Sequence, residues 1–255
     1  MISKKYLPKI YLTIIFMLFI GYCSYYYYLK EETKFKGTIC IVIDDFGFSN
    51  NNTILKFLNL NPNLTIPIIP GTPYAQWVGR YADSLNIETI IHMPMESHND
   101  DHRSYPISLN EKLNETLVKK RIQAAFNEIP TAVGMNNHQG SKATENLQLM
   151  KNLARTLKEM NKIFLDSFTN PESRAFLTMR RYGVPTQLRQ VFLDHIENEI
   201  KIKDNLDSLK LLSHQMEIAI GIAHVKDITL KVLEKELPLL ESQGYRIIKL
   251  SEAVH

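Results

Sequence analysis

From Gly37 onward the chain alternates short apolar runs with longer segments of helical periodicity. The apolar runs are rich in Ile and Val, and they are apolar at successive rather than alternate positions. This pattern is typical of strands that are covered on both faces, as in a parallel sheet. It predicts eight strands, at Thr38–Ile43, Leu64–Ile69, Glu88–His92, Thr131–Met135, Lys162–Asp166, Gln187–Leu193, Glu217–Ile222 and Tyr245–Leu250.

The segments between these strands repeat apolar residues every three or four positions, as amphipathic helices do. Ser108 and Glu111 have the spacing of a capping box, which predicts a long helix from there to about Glu128. Gly183 and Gly244 occupy the positions expected of helix C-caps. The other predicted helices are Ser49–Leu60, Thr144–Met160, Ile196–Met216 and Ile228–Ser242.

This order of elements predicts an α/β fold for residues 37–255. Eight strand–helix units in a row favour a closed or nearly closed (β/α) barrel of seven to eight mostly parallel strands. A doubly wound open sheet is the alternative, because both architectures share this pattern.

Residues 1–36 have a different character. Lys4, Lys5 and Lys9 precede Ile10–Leu29, a run of twenty residues without a formal charge. Such a run, as a helix, would just cross a hydrocarbon core of about 30 Å, and the preceding lysines favour a cytoplasmic N-terminus. We therefore predict a signal anchor in the inner membrane, with the domain on the extracytoplasmic (periplasmic) side. A cleaved signal peptide is the alternative.

The amino-acid composition excludes several classes of protein. The hydrophobic share of 44% and the charged share of 22% are ordinary for a globular protein and exclude a disordered or collagen-like chain. Two cysteines exclude a disulfide-rich scaffold and a four-cysteine zinc site. The first 36 residues carry six lysines against two glutamates, whereas the whole chain has a formal charge of +3, so the remainder carries −1. A nucleic-acid surface is not indicated.

Polar residues follow directly on several of the predicted strands. The C-terminal ends of the strands of a parallel barrel meet at one rim, where the active site lies. Two histidines and a carboxylate would suit a catalytic divalent metal, and a second carboxylate could accept a proton from water. The residues in this setting are Asp44, Asp45, His92, Asn136, Asn137, His138, Asp166 and His224, and the loop aromatics Phe46, Phe48 and Tyr105 are candidate platforms for a sugar ring.

Several of these segments resemble the divergent polysaccharide deacetylase family. They include the Ile-Val-Ile-Asp-Asp-Phe-Gly segment at 41–47, the Gly-Met-Asn-Asn-His-Gln-Gly-Ser segment at 134–141 and the Ile-Gly-Ile-Ala-His segment at 220–224. The resemblance covers essentially all of Gly37–Ser251. It implies a distorted (β/α) barrel related to metal-dependent carbohydrate esterases. By the same resemblance, Asp44 would be the catalytic base, Asp45 a metal ligand and His224 the general acid.

The chain also departs from the wider superfamily, which places two metal-binding histidines four residues apart. The residue four positions after His92 is Glu96, so the third ligand is either Glu96 or His138. We favour His138, because its whole loop is polar and Pro94 separates Glu96 from His92. The Arg-x-Pro-x-Tyr segment of the superfamily is absent, and Asn136–Ser141 takes its place.

Together with these residues, the resemblance implies a metal-dependent hydrolase that removes N- or O-acetyl groups from an envelope polysaccharide, with zinc as the expected metal. Asp44 would take a proton from a metal-bound water, His224 would protonate the leaving group, and Asp166 would offset the charge of His224. Substrate contacts are predicted at Asn136, Asn137, Ser141 and Arg189. Two alternatives stay open: a non-catalytic glycan-binding or envelope-organising protein on the same fold, and a metal hydrolase acting on another bond, such as a peptide-stem amide.

Overall fold

The computed structural model describes residues 7–32, 35–99 and 105–254, and the chain divides into two compact units, 1–36 and 37–255. The first unit contains one long helix, α1 (Leu7–Glu32). No helix in the described part of the chain is long and apolar enough to cross a membrane. The side chains at both ends of the predicted anchor, at positions 10–13 and 27–29, lie outside the described residues.

The second unit is built on a sheet in which each strand pairing among the described residues is parallel. The strands are β1 (Gly37–Asp44), β2 (Thr65–Ile68), β3 (Glu88–Met95), β4 (Gly134–Gln139), β5 (Ile163–Asp166), β6 (Thr186–Leu188), β7 (Val191–Phe192), β8 (Ala219–His224) and β9 (Tyr245–Ile248). Their order in the sheet is β6-β5-β4-β3-β2-β1-β8-β7, and β9 pairs with β1.

The sheet curls into an incomplete barrel. Its two outermost strands, β6 and β7, are separated by only Arg189 and Gln190, so the ends of the sheet lie close together. The backbone N–H of Arg189 still donates to Asp166 of β5, whereas that of Gln190 donates to Ile220 of β8. The chain therefore changes partner strand here, which divides the predicted strand Gln187–Leu193 into two. The distorted barrel is confirmed, rather than the open sheet.

The helices cover the outside of this sheet, and Gly183 and Gly244 end two of them with φ angles of 69° and 89°, as predicted. The helices described in this unit are α2 (Asn52–Leu58), α3 (Ala75–Ser84), α4 (Glu115–Glu128), α5 (Leu147–Glu159, preceded by a 3₁₀ turn at Ala143–Glu145), α6 (Ala175–Arg181), α7 (Glu199–Ser213), α8 (Asp227–Ser242) and α9 (Leu250–Ala253). The sequence did not predict α3, α6 and α9.

The predicted start of the long helix at Ser108 is wrong. Helix α4 begins at Glu115, and the side chain of Asn114 caps it by accepting a hydrogen bond from the backbone N–H of Leu117. The segment that contains Ser108 is extended instead, because Leu109 forms a parallel bridge with Met95 at the end of β3. Backbone pairing with the sheet thus outweighs the local capping signal.

Strand β1 shows why successive residues are apolar. Ile39, Ile41 and Ile43 belong to the large cluster between sheet and helices, whereas Cys40 and Val42 belong to a smaller cluster on the other face. All five side chains are buried, and full burial of an isoleucine side chain contributes about 1.5–3 kcal/mol. Burial on both faces requires apolar residues at both parities of the strand.

Candidate active site

Alternation along the strands delivers three polar side chains to the inner face of the sheet. Asp44 follows Val42 by two residues, His92 follows Ile90, and His224 follows Ile222; the three apolar residues all belong to the smaller cluster. Because side chains alternate with a period of two, each polar residue continues the inner face of its strand at the C-terminal end. These three side chains, which we call the polar cap, therefore lie next to the smaller cluster at the C-terminal ends of the strands.

Asp45, His92 and His138 come together beside this cap. Asp45 Oδ1 lies 3.2 Å from His92 Nε2 and 3.1 Å from His138 Nδ1, and the two ring nitrogens are 3.1 Å apart. Neighbouring ligands of a tetrahedral cation, at bonds of about 2.0–2.2 Å, are separated by about 3.3–3.6 Å. These three atoms therefore have nearly the spacing of one face of such a coordination shell.

The hydrogen bonding, pKa and backbone conformation of Asp45 also fit a cation ligand. Its buried Oδ1 has no hydrogen-bond partner of good geometry among the described residues. Burial raises the pKa of Asp45, but the imidazoles of His138 and His92 outweigh this effect and hold the pKa far below its usual range. Its φ is 74°, a left-handed conformation that aspartate adopts more readily than most residues. An anionic, unsatisfied oxygen between two imidazole nitrogens is a donor set that suits a divalent cation.

Glu96, the alternative third ligand, does not join this cluster. Its Oε1 lies 2.8 Å from Lys142 Nζ, and its Oε2 accepts a hydrogen bond from the backbone N–H of Glu111. The pKa of Glu96 is lowered, since these partners outweigh its partial desolvation. The carboxylate is thus held outside the cluster, and the geometry favours His138 over Glu96.

Asp44 is buried next to the cluster, with 2% of its surface exposed. Its Oδ1 accepts a hydrogen bond of 2.9 Å from Asn136 Nδ2, and its Oδ2 lies 3.5 Å from His92 Nε2. Burial raises the pKa of Asp44, and the charges of His92 and His224 offset part of this effect. A carboxyl group with a raised pKa is a better proton acceptor than an ordinary surface aspartate.

His224 is paired with a carboxylate that was not among the predicted site residues, Asp194. Asp194 Oδ1 lies 2.7 Å from His224 Nδ1, and Asp194 Oδ2 accepts hydrogen bonds from the backbone N–H of His224 and from Thr229 Oγ1. Burial alone would lower the pKa of His224. The hydrogen bond to Asp194 and the charges of Asp44, Asp194 and Asp45 instead raise it to about 9. His224 is therefore an imidazolium at neutral pH.

The prediction that Asp166 offsets His224 is thereby corrected. The carboxylate of Asp166 accepts hydrogen bonds from Ser173 Oγ and from the backbone N–H groups of Phe168 and Phe176. It therefore fixes the loop between β5 and α6. Asp194 also follows an apolar run, Val191–Leu193, so the signal used for the other strand ends was present in the sequence.

Three of the predicted substrate contacts are occupied by contacts within the protein. Asn136 and Asn137 are at most 1% exposed; Asn137 accepts a hydrogen bond from the backbone N–H of Ser167. Arg189 donates to the backbone carbonyls of Ser167 and Phe168, and burial lowers its pKa to about 10. These side chains hold the loops that frame the site. Ser141, which is partly exposed, accepts a hydrogen bond from the backbone N–H of His98.

A cleft of about 450 Å³ lies against Asp45 and His138. Two aromatic side chains line it: Phe48, which is 50% exposed, and Tyr105, whose hydroxyl lies 2.9 Å from His138 Nε2. Phe46, the third predicted platform, is fully buried in the core and is not available to a ligand. The cleft also includes Ser49, Asn51, Thr53, Ile54, Val225, Lys226 and Asp227.

Known proteins are similar to this chain in sequence or in structure. The chain is 31% identical over 199 residues to the uncharacterized protein YibQ of Escherichia coli K12; the match covers 78% of this chain and 62% of YibQ, less than two thirds of that protein. An uncharacterized protein of Agrobacterium tumefaciens C58 has a similar structure, with a TM-score of 0.80 and 19% identity over 88% of this chain and 94% of that chain. A family 4 carbohydrate esterase from Streptomyces lividans, solved with acetate, has a TM-score of 0.50 and 12% identity over 83% and 92% of the two chains.

The structural similarities, all below 25% identity, show a shared fold. The family follows from the sequence itself, because residues 41–254 match the family model described as "Divergent polysaccharide deacetylase". That match runs from the middle of β1 to just beyond the end of α9 and includes every other strand of the barrel. The chain belongs to the divergent polysaccharide deacetylase family.

Proposed function

We propose that this protein is a metal-dependent hydrolase that removes N- or O-acetyl groups from an envelope polysaccharide. The observation that carries the proposal is the convergence of Asp45, His92 and His138 at one wall of the cleft, beside the buried carboxylate of Asp44. The family supports a carbohydrate as the substrate class. Its fold, shared with a carbohydrate esterase, supports a divalent metal as the cofactor.

The three converging side chains would hold the cation. One carboxylate and two imidazoles form a ligand set that zinc adopts in catalytic sites, so zinc is the proposed metal. When bound, the cation would supply a Lewis acid that polarises the acetyl carbonyl and makes water more acidic. Tyr105 and Asn136, which contact the outer nitrogens of His138 and His92, would hold the two rings in place.

Asp44 and His224 would move the protons. Asp44 accepts a proton from the water that attacks the acetyl carbon, and its burial favours this because the neutral carboxyl form is stabilised. His224, charged at neutral pH and held by Asp194, donates a proton to the departing amine or hydroxyl. The two residues are register partners on the adjacent strands β1 and β8, so they flank the same end of the sheet.

We further propose that the domain acts on the extracytoplasmic side of the inner membrane and that the N-terminal unit serves as its anchor. The lysines at positions 4, 5 and 9 and the apolar run after them support this placement. The apolar side chains from Ile14 to Ile20 of α1 are exposed, as expected of a segment that contacts lipid.

The test is acetate release from a panel of N- and O-acetylated glycans. The protein is stripped with a chelator, dialysed, and assayed with and without one equivalent of Zn²⁺. We expect acetate only from the zinc-loaded protein, and none from zinc-loaded Asp44→Asn. Glycan binding without acetate release by any zinc-loaded sample would contradict the proposal and favour the non-catalytic alternative. Release of amine from a peptide stem would favour the amidase alternative.

A further inference from the structure

The amide of Asn136 links two groups of the site that have opposite hydrogen-bonding needs. Its Nδ2 lies 2.9 Å from Asp44 Oδ1, and its Oδ1 lies 2.7 Å from His92 Nδ1. The side chain is completely buried, so neither contact is shared with solvent. Asn136 is the register partner of His92 on the adjacent strand, whereas Asp44 lies three strands away across the concave face of the sheet.

The chemistry of the three groups fixes the direction of both hydrogen bonds. An ionised carboxylate can only accept, so the NH₂ group of Asn136 must face Asp44. The amide oxygen then faces His92 Nδ1, and because that oxygen can only accept, Nδ1 must carry the ring proton. In the neutral ring, His92 Nε2 is therefore left with a lone pair. This is the nitrogen that lies 3.2 Å from Asp45 Oδ1 and 3.1 Å from His138 Nδ1.

We propose that Asn136 is a positioning residue that orients the base and fixes the tautomer of a metal ligand at the same time. This inference rests on the proposed function of the site. The Nδ2 group of Asn136 holds the carboxylate of Asp44, and its Oδ1 atom keeps the lone pair of His92 Nε2 directed at the cation position. Only a primary amide offers a donor and an acceptor at this reach, since an aspartate has no donor when ionised and a leucine has neither group.

The first test is Asn136→Leu, which removes both hydrogen bonds at nearly constant volume. The ¹⁵N spectrum of His92 in the metal-free protein is recorded at a pH high enough to leave the ring neutral. We expect the Nδ1–H tautomer in the wild type, and a substantial Nε2–H population in the variant. Zn²⁺ affinity, measured by competition with a chromophoric chelator, should fall about 10–100-fold. In the acetate-release assay at saturating zinc, kcat should fall about 10–100-fold, while KM changes less than about threefold.

A second variant separates the donor role of Asn136 from its acceptor role. Asn136→Asp restores an acceptor to His92 and should bring Zn²⁺ affinity back to within about threefold of the wild type. Two buried carboxyl groups this close cannot both ionise, so Asp44 would share a proton with the new aspartate and would no longer be a free acceptor; kcat should stay at least about tenfold below the wild type. Full recovery of kcat in this variant would overturn the donor half of the proposal.

The matched control is Asn152→Leu on α5. Asn152 is also buried and accepts a hydrogen bond from Gln148 Nε2. The Asn152→Leu variant should be less stable than the wild type, but its zinc affinity and its His92 tautomer should stay at wild-type values. Equal losses in both leucine variants, or wild-type zinc affinity and tautomer in Asn136→Leu, would overturn the proposal. If the wild type releases no acetate from any glycan, the proposed function fails, yet the tautomer and zinc measurements still decide the acceptor half.

Discussion

Asp194 holds His224 at two points: its Oδ1 lies 2.7 Å from the ring Nδ1, and its Oδ2 accepts the backbone N–H of the same residue at 2.8 Å. The backbone contact fixes the position of the carboxylate relative to the strand, and the side-chain contact fixes the ring. His224 Nε2 is then directed away from Asp194. In a protonated imidazole held in this way, the proton on Nε2 does not engage Asp194 and is the one that can be donated.

The first prediction concerns this pair. Asp194→Asn should lower kcat about 10²-fold or more on a natural acetylated glycan, because a neutral amide no longer stabilises the imidazolium. The loss should shrink for an activated phenyl acetate, whose leaving group needs little protonation. The rate of acetate release from the glycan is compared with the rate of phenol release from the phenyl acetate. Asp166→Asn is the contrast, because Asp166 contacts the 166–176 loop; it should change stability and leave the leaving-group dependence as in the wild type.

The second prediction separates the metal ligands from the base. His138→Ala should lose bound zinc after gel filtration, because it removes one of the three ligand atoms that converge in the described part of the chain. Asp44→Asn should keep near-stoichiometric zinc but release no acetate, since an amide cannot accept the proton of water. Metal content is measured by inductively coupled plasma mass spectrometry. Equal zinc loss in both variants would mean that Asp44 is itself a ligand.

Much of this site was predictable because strand-end position and period two are local properties of the sequence. Asp44, His92 and His224 could be placed on one face from their distance to Val42, Ile90 and Ile222. The long-range pairings could not be placed, because they depend on how far the sheet curls.

Asn136 illustrates this limit. A polar residue after an apolar run suggested a substrate contact, but β4 extends to Gln139 and buries Asn136 under the site. For the same reason, the sequence did not show that Asp194, rather than Asp166, is the partner of His224. Asp194 follows β7, which pairs with β8, whereas Asp166 ends β5, which pairs with β4 and β6. Sequence spacing alone carries no information about which strands close the barrel.

The third prediction is a pH dependence of stability. The pKa of His224 is about 9 in the folded protein, against about 6.5 for an unperturbed histidine. The raised pKa means that the folded state binds the proton more tightly, so this stabilisation is complete below about pH 6.5 and is lost as the pH rises through 9. In metal-free protein, the free energy of unfolding of the wild type relative to His224→Gln should decrease by about 1–3 kcal/mol between pH 6 and pH 10. Urea unfolding followed by circular dichroism measures it. A difference that stays constant with pH would show that folding does not raise the pKa of His224.

The fourth prediction tests the N-terminal unit. The full chain should sediment with membranes and resist extraction by high salt, whereas a chain that begins at Lys34 should remain in the supernatant and unfold in a single cooperative transition. Extraction by salt would indicate peripheral attachment. A mature N-terminus near Ser24 would show that the segment is a cleaved signal peptide.

The last prediction concerns the cleft wall. Phe48 is half exposed beside Asp45, and an aromatic face in this position can stack on the apolar face of a sugar ring. Aromatic contacts contribute about 0.5–1.5 kcal/mol beyond burial, so Phe48→Ala should raise KM for a polymeric glycan about 3–10-fold. The change in kcat should stay within about threefold, because Phe48 is neither a proposed metal ligand nor a proposed proton carrier.

Phe46→Leu is the control for this prediction. Phe46 packs edge-to-face on Phe57 in the core, with ring centroids 6.2 Å apart, so its replacement should lower stability and leave KM unchanged. Phenyl acetate, which is too small to span the cleft, should show the same KM with the wild type and with Phe48→Ala. An increase in KM for phenyl acetate as large as that for the polymer would mean that Phe48 shapes the reaction centre rather than a sugar subsite.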